Sequence, residues 1–274
     1  MFRVVTFADG SPLWKSSARR LAKEVAESPL LSRTDISSNY SPLQGPDFQR
    51  LVSLDSLKKN PRGSGFWIWK PFLIKHSLEN LRDYETGVLY LDAGCTFNSS
   101  AAASKTLVSY FAQAKQFGTL LFELSDQPEL KWTKKDLFLR LGVADTALTQ
   151  SNQRHSTAHF WTPTDLNFKI LDDWIAISLE EKFHYLDDSP SRAGNVSGFI
   201  EHRHDQSILS TISKFYGIRA IPDETWHHPG WIESGANYPI WATRNRSSVS
   251  VMDTRIKARS TRKLEGLVER FRKL

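Results

Sequence analysis

The chain has 274 residues, 40% of them hydrophobic, which suits one large α/β domain with a small appendage. No apolar run approaches the roughly 18 residues of a spanning helix, and the single cysteine, Cys95, excludes an intrachain disulfide framework and fits a reducing compartment. The net charge of +6 is uneven: from residue 240 onward ten Lys/Arg face three Asp/Glu, so the rest of the chain is close to neutral. A nucleic-acid enzyme more often spreads its basic residues around its cleft, so the basic end reads as an attachment device.

In chain order, residues 4–7 read as a first strand rather than a signal peptide, followed by the Ala8-Asp9-Gly10 turn. Residues 13–27 have helical spacing, with Ser11-Pro12 as a start signal. A loop region rich in Ser, Pro, Asn and Gly follows, with a short strand near 32–36, and residues 48–58 read as a further helix. The Asn60-Pro61-Arg62-Gly63-Ser64-Gly65 stretch is turn-rich. Trp67 and Trp69, two apart, would share one side of an extended segment, at least one of them in the core. Residues 71–81 form a helix with Pro71 at its first position and Phe72, Ile74, Leu78 and Leu81 apolar. Residues 88–91 are then a buried strand, and the strand–helix alternation of the first hundred residues argues for a doubly wound parallel sheet. Further on, strands are expected at 119–124, 158–162 and 218–221, and helices at 132–141 (capped by Thr133), 166–179 and 205–215, with a loop over 184–198. A domain boundary falls near 243: residues 1–243 form the main domain, and 244–274 a basic extension.

The strand at 88–91 ends in Asp92-Ala93-Gly94. An acid at the carboxyl end of a buried strand lies where open α/β sheets bind ligands. Its oxygens can hold Mn²⁺ or Mg²⁺, or meet sugar hydroxyls; equally, a strand can simply end on a turn-forming Asp. Lys70, a compact ammonium, suits a partner for Asp92 or for a phosphate, and Arg62 is a second candidate for a diphosphate; both could also be plain surface charges. Glu201-His202-Arg203-His204-Asp205-Gln206 is the densest polar cluster, in which Asp205 could be no more than a helix N-cap. Its His-x-His lacks the further His of a zinc-hydrolase site. Trp226-His227-His228-Pro229-Gly230-Trp231 is either a Pro-Gly turn with packed aromatics or a source of a metal-binding histidine.

Trp67-Ile68-Trp69-Lys70-Pro71, the helix after it, Leu89-Tyr90-Leu91-Asp92-Ala93-Gly94-Cys95 and His204-Asp205-Gln206-Ser207 together resemble bacterial and phage-type GT-A glycosyltransferases. Their layout is also similar to the glycogenin-like family 8. The resemblance covers most of residues 1–232, and the order and spacing of its short motifs carry it. It implies a mixed α/β sheet flanked by helices that moves a sugar, with retention, from a nucleotide-diphosphate sugar to a hydroxyl of a glycan or glycolipid. By the same resemblance Asp92 is the first acid of Asp-x-Asp, touching Mn²⁺ or Mg²⁺ or the donor ribose. Gly94 stands where the second acid belongs, so either another residue or a cationic side chain replaces it. Asp205 and Gln206 would orient the donor sugar, His228 or His227 would complete the metal site, and Thr6, Ala8, Asp9, Arg62, Lys70, Ala93 and Gly94 would line the donor site.

Residues 255–274 pair Leu264, Leu267, Val268, Phe271 and Leu274 at helical spacing with eight Lys/Arg. That pattern fits either the surface of an anionic membrane or a helix packed on the body with a solvated basic face. The expected place is the cytoplasm, with peripheral attachment to the inner face of a membrane, where a lipid-linked glycan would be the acceptor; nucleic acid is not the expected partner. Two other readings stay open. One is a non-catalytic glycan- or membrane-binding protein on a degenerate transferase fold. The other is a sugar nucleotidyltransferase, for which the turn after the first strand lacks a Gly-rich basic loop.

Overall fold

Strand β1 (Phe2–Phe7) is fully buried, and the helix after it, α1 (Pro12–Ala26), starts where the Ser11 hydroxyl accepts from the Leu13 N–H with Pro12 in the first turn. The computed structural model describes residues 1–8, 11–37, 62–226 and 231–248. The helix expected at 48–58, the tail helix at 255–274, Asp9, His227 and His228 lie outside the described residues. Strand β2 (Leu31–Ser37), helix α2 (Trp69–Glu79), strand β3 (Gly87–Leu91) and the short β4 (Thr96–Phe97) follow. Then come α3 (Ala101–Phe117), the long β5 (Thr119–Pro128), the single turn α4 (Glu129–Trp132) and α5 (Lys135–Arg140). Strands β6 (Asn152–Arg154) and β7 (Ala158–Trp161), helices α6 (Asp165–Leu179) and α7 (His204–Phe215), and strands β8 (Ala220–Pro222) and β9 (Ile240–Trp241) complete the order.

Among the described residues the main sheet is mixed and has seven strands. β2, β1 and β3 run parallel, with Thr6 opposite Ile36 and Val5 opposite Tyr90. β7 is antiparallel to β3, placing His159 opposite Tyr90, and β5 is antiparallel to β7. β5 then pairs parallel with β8 and antiparallel with β6. The parallel pattern of the first hundred residues therefore gives way to a mixed sheet. β4 and β9 form a separate pair.

β3 reads as an unbroken apolar run because it is covered on both faces. Val88 and Tyr90 point to a core built with Leu73, Ile74 and Leu78 of α2, Trp174 of α6 and Ile208 of α7. Leu89 and Leu91 point the other way, to Leu21 of α1 and Leu107 and Tyr110 of α3. Burial of these side chains fixes where β3 ends, and so where Asp92 stands.

Two expectations are corrected. The helix at 132–141 is broken into α4 and α5. Thr133 does not start the helix: it is the C-terminal flanking residue of α4, its hydroxyl donates to the buried Glu129 carboxylate at 2.7 Å, its backbone is extended, and Lys134 stands at the N-cap of α5. The extended link lets the Lys134 ammonium turn inward, to the His184 carbonyl and the Asp187 carboxylate. Helix α3 has no counterpart in the sequence expectations. Its buried residues, Ala103, Leu107, Tyr110 and Ala114, make one narrow stripe, two of whose four members are alanines. Among the described residues, no helix is long and apolar enough to cross a membrane.

Candidate active site

The approach to α2 is tightly wound. Gly63, Ser64, Gly65, Phe66 and Trp67 all have positive φ, between 51° and 92°. Gly63 lies against the Trp67 ring so closely that a Cβ there would stand 2.3 Å from it. Trp67 and Trp69 consequently do not share one side of an extended segment. Trp67 stacks on His204, with ring centroids 5.7 Å apart, while Trp69 opens α2, donates to the Gly63 carbonyl at 3.0 Å and stacks on Phe7 at 4.0 Å in the core. Left-handed non-glycine residues are strained, and here Phe66, Trp67 and His204 (φ 49°) flank one polar centre.

That centre is the Lys70 ammonium, only 1% exposed. Lys70 is the second residue of α2, and Pro71 occupies the third, where no intrahelical partner for an N–H exists. Nζ lies 2.7 Å from Asp205 Oδ2 and 3.4 Å from Asp92 Oδ1, and donates to the Ser156 carbonyl at 2.8 Å. The Tyr90 hydroxyl donates to Asp92 Oδ1 at 2.6 Å, and the Ser156 hydroxyl to Asp205 Oδ2 at 2.6 Å. Asp205 is thus no N-cap: α7 begins one residue earlier, after Arg203, and Asp205 turns inward to the ammonium. A carboxylate in the first turn is also favoured by the helix dipole.

The electrostatics follow from this enclosure. Burial disfavours the charged Lys70, but Asp205 and Asp92 outweigh it and the ammonium is held more firmly than usual. Burial pushes the Asp205 carboxyl up, and Lys70 and Ser156 offset that only in part. Tyr90 stays a phenol, its pKa raised well above normal by burial and then by Asp92. Behind it His159 stacks on the Tyr90 ring at 4.8 Å and accepts from the Trp161 indole at 2.7 Å; burial, and next the Lys70 charge, keep it neutral. Of the three charged groups only Asp92, with a third of its side chain exposed, reaches solvent. One ammonium and two carboxylates leave the cluster with a net negative charge facing outward through Asp92. An anion could reach Lys70 only by displacing a carboxylate or Ser156, so the enclosure does not fit a direct Lys70–phosphate contact.

The turn after β3 is fastened from behind. The buried Arg20 of α1 donates to the Ala93 carbonyl at 3.3 Å and the Cys95 carbonyl at 2.9 Å, and pairs with Glu24 at 3.0 Å. It also holds the Asn245 and Ser247 carbonyls, so the segment after β9 is tied onto this turn. The Asn245 N–H donates to the Gly94 carbonyl at 2.8 Å. A Cβ on Gly94 would stand 3.1 Å from Arg244 Cα, so any side chain at the position of the second acid would crowd that backbone.

The other expected residues do not join the ammonium cluster. Ala93 and Ala8 pack together with Ala18. Thr6 is wholly buried in β1, its hydroxyl without a hydrogen-bond partner among the described residues. Arg62 is an exposed surface residue 3.3 Å from Asp188 and 3.5 Å from Glu201. Gln206 donates to Gln153 at 2.7 Å. His202 and His204 are pinned to the Tyr185 and Leu186 carbonyls, each at 2.9 Å. Among the described residues, no group of three or more His, Cys, Asp or Glu could hold a metal. A divalent cation needs several oxygen ligands, and the described residues offer Asp92 alone, one of whose oxygens already accepts from Tyr90 and faces Lys70. They do not fit a Mn²⁺ or Mg²⁺ site by themselves. Ser156, Arg20 and His159 carried no sequence signal; Tyr90 did, since alternation puts it on the same side of β3 as Asp92.

No protein-family model matches the chain, and no curated protein sequence matches it. Solved structures with a related chain path include mouse xyloside xylosyltransferase 1 in its apo form, 12% identical over 88% of this chain and 97% of that one, with a TM-score of 0.46. A glycosyltransferase involved in the glycosylation of the major capsid of PBCV-1 is 8% identical over 88% of this chain and 94% of that one, TM-score 0.46. The apo-form glycosyltransferase GlyE of Streptococcus pneumoniae TIGR4 is 13% identical over 82% of this chain and 46% of that one, TM-score 0.38. Likeness at this level assigns no activity.

Proposed function

We propose that the chain is a GT-A-type glycosyltransferase that moves a sugar from a nucleoside-diphosphate sugar to a hydroxyl of a glycan or glycolipid. One observation carries the reading: a buried ammonium joins Asp92, at the carboxyl end of a buried parallel strand, to Asp205, at the start of a helix, and leaves Asp92 facing solvent. The sequence resemblance already drew these same residues together. In the reaction the anomeric carbon–oxygen bond to the diphosphate breaks, the diphosphate leaves with the electron pair, and the acceptor oxygen bonds to that carbon as its proton passes to an oxygen of the departing diphosphate. Negative charge at the cluster suits a sugar that becomes oxocarbenium-like. Asp92 meets the donor and Gln206, held by Gln153, orients the sugar, while the buried Asp205 acts through Lys70, fixing the ammonium that holds Asp92. Catalysis is then positioning and charge stabilisation.

The resemblance implies retention of anomeric configuration. A Mn²⁺ or Mg²⁺ ion, if used, would meet Asp92 and needs His227 or His228 as a further ligand. The basic tail would hold the enzyme at the cytoplasmic face of an anionic membrane, where a lipid-linked glycan is the natural acceptor. The test is a thermal-shift panel of nucleotides and nucleotide sugars, with and without Mn²⁺. A ligand at 100 times its Kd adds about 2.7 kcal/mol of stability, a shift of several degrees. A selective nucleotide-sugar hit is expected; silence across the panel from a folded protein points instead to a binding module.

A further inference from the structure

A diphosphate leaving group carries negative charge, and the Lys70 cluster facing it is also net negative. The positive counter-charge has to come from elsewhere. Two arginines have their backbone next to the cluster's acids. Arg244 stands on Gly94, two residues past Asp92, and Arg203 stands two residues before Asp205. Arg244 is exposed and Arg203 half-buried, and neither makes an ion pair among the described residues.

Both are built in rather than loosely placed. Arg244 has a φ of 51°, a strained value for an arginine. Its neighbours hold it there: Thr243 and Asn245 both donate to the Gly94 carbonyl, at 3.2 and 2.8 Å, and Arg20 grips the Asn245 carbonyl. Arg203 lies flat on the Trp132 ring, 3.5 Å from its centroid, and donates to Gln127 at 2.9 Å. An arginine has five N–H donors, so most of those on Arg203 remain available. The two charges also feel each other. Burial lowers the Arg203 guanidinium to about 10, Glu201 opposes the shift, and the Arg244 charge adds to it. Glu201 is itself engaged by Arg62. Glu129 also acts on Arg203 from a distance, but among the described residues neither arginine is in an ion pair, and guanidinium forks match phosphate oxygens.

We infer that Arg203 and Arg244 form the binding site for a diphosphate group beside Asp92, with Arg244 occupying the place that the second acid and its cation would take. The backbone of Arg244 crowds any side chain at position 94, and its guanidinium supplies the positive charge. The inference deepens the proposed glycosyl transfer and rests on that reading for the identity of the natural ligand, but the site is testable without it.

The probe is inorganic pyrophosphate, titrated calorimetrically into the full chain in EDTA. Arg244→Asn removes the charge with a residue that tolerates positive φ, and Arg244→Lys keeps the charge without the fork. Wild type is expected to bind, Arg244→Asn to bind about tenfold or more weakly, and Arg244→Lys to fall between, all with similar thermal midpoints. Arg203→Lys should also weaken binding. Absence of pyrophosphate binding to the folded wild type, or equal affinity in Arg244→Asn, overturns the inference. Nucleotide-sugar turnover that survives intact in Arg244→Asn overturns the inference and leaves the glycosyltransferase reading standing. Arg244-dependent pyrophosphate binding in a chain that turns over no nucleotide sugar does the reverse.

Discussion

Replacing Lys70 by Met removes the one cation inside the cluster while keeping a long apolar stem. Asp92 can relax toward water, since a third of its side chain is exposed. Asp205 cannot: its side chain is only 6% exposed and it would keep the Ser156 hydroxyl alone. Breaking a buried pair in this way costs about 3–5 kcal/mol, a large share of the ~5–15 kcal/mol that holds a domain folded. The loss should depend on pH. The Asp205 carboxyl is raised by burial even beside Lys70, and without Lys70 it rises further. An acid whose folded pKa lies above its unfolded value adds stability that is fully present below the unfolded pKa and lost as pH rises through the folded one. The variant therefore recovers on acidification as Asp205 takes up a proton. Adding Asp205→Asn should recover much of the loss at neutral pH, because no buried charge is then left unpaired. The assay is urea unfolding of wild type, Lys70→Met and the double variant at pH 7.5 and pH 5, with free energies from linear extrapolation. A loss below about 1 kcal/mol for Lys70→Met, or an equal loss at both pH values, would refute the reasoning.

Three further outcomes are expected. Glu85 is buried, which works against its charge, but Arg3, the Arg82 N–H and the Ser32 hydroxyl win and hold its carboxyl down at about 2. With the folded pKa below the unfolded value of 4.5, its contribution is present above pH 4.5 and is lost as pH falls toward 2. Roughly 3 kcal/mol should disappear over that window, and Glu85→Gln should flatten the acid limb of an unfolding free-energy titration. Gly94→Ala places a methyl 3.1 Å from Arg244 Cα. It should cost about 1–3 kcal/mol in denaturant unfolding and also weaken pyrophosphate binding as Arg244 is pushed aside. Arg20→Met should free the segment after β9, seen as faster amide exchange at Asn245 and Ser247 with the main-sheet amides unchanged.

The parts of the molecule legible in the sequence are those set by local pattern. β3 and its terminal Asp92 stand out because a strand covered on both faces must be apolar at every position. α6 and α7 stand out because each buries a broad apolar face, including Trp174 and Ile208. α3 does not, because two of its four buried positions are alanines. The break at Thr133 depends on Glu129 and His184, partners that residue spacing does not reveal. The site divides the same way. Asp92, Lys70 and Asp205 could be picked out by residue type and resemblance, but their meeting on one ammonium is a tertiary contact between α2, β3 and α7. Ser156 and Arg20 are invisible to pattern because their roles lie in a carbonyl and a buried guanidinium far along the chain. Gly94 is legible as a departure from Asp-x-Asp, and the close passage of Arg244 beside it comes only with the fold.

The most direct test of the central claim is release of nucleoside diphosphate from a panel of nucleotide sugars, comparing wild type with Asp92→Asn. The account predicts release from one donor class, accelerated by a glycan acceptor, and its loss in Asp92→Asn with the thermal midpoint preserved. Release that persists undiminished in Asp92→Asn, or no release from any donor by the folded wild type, would contradict it.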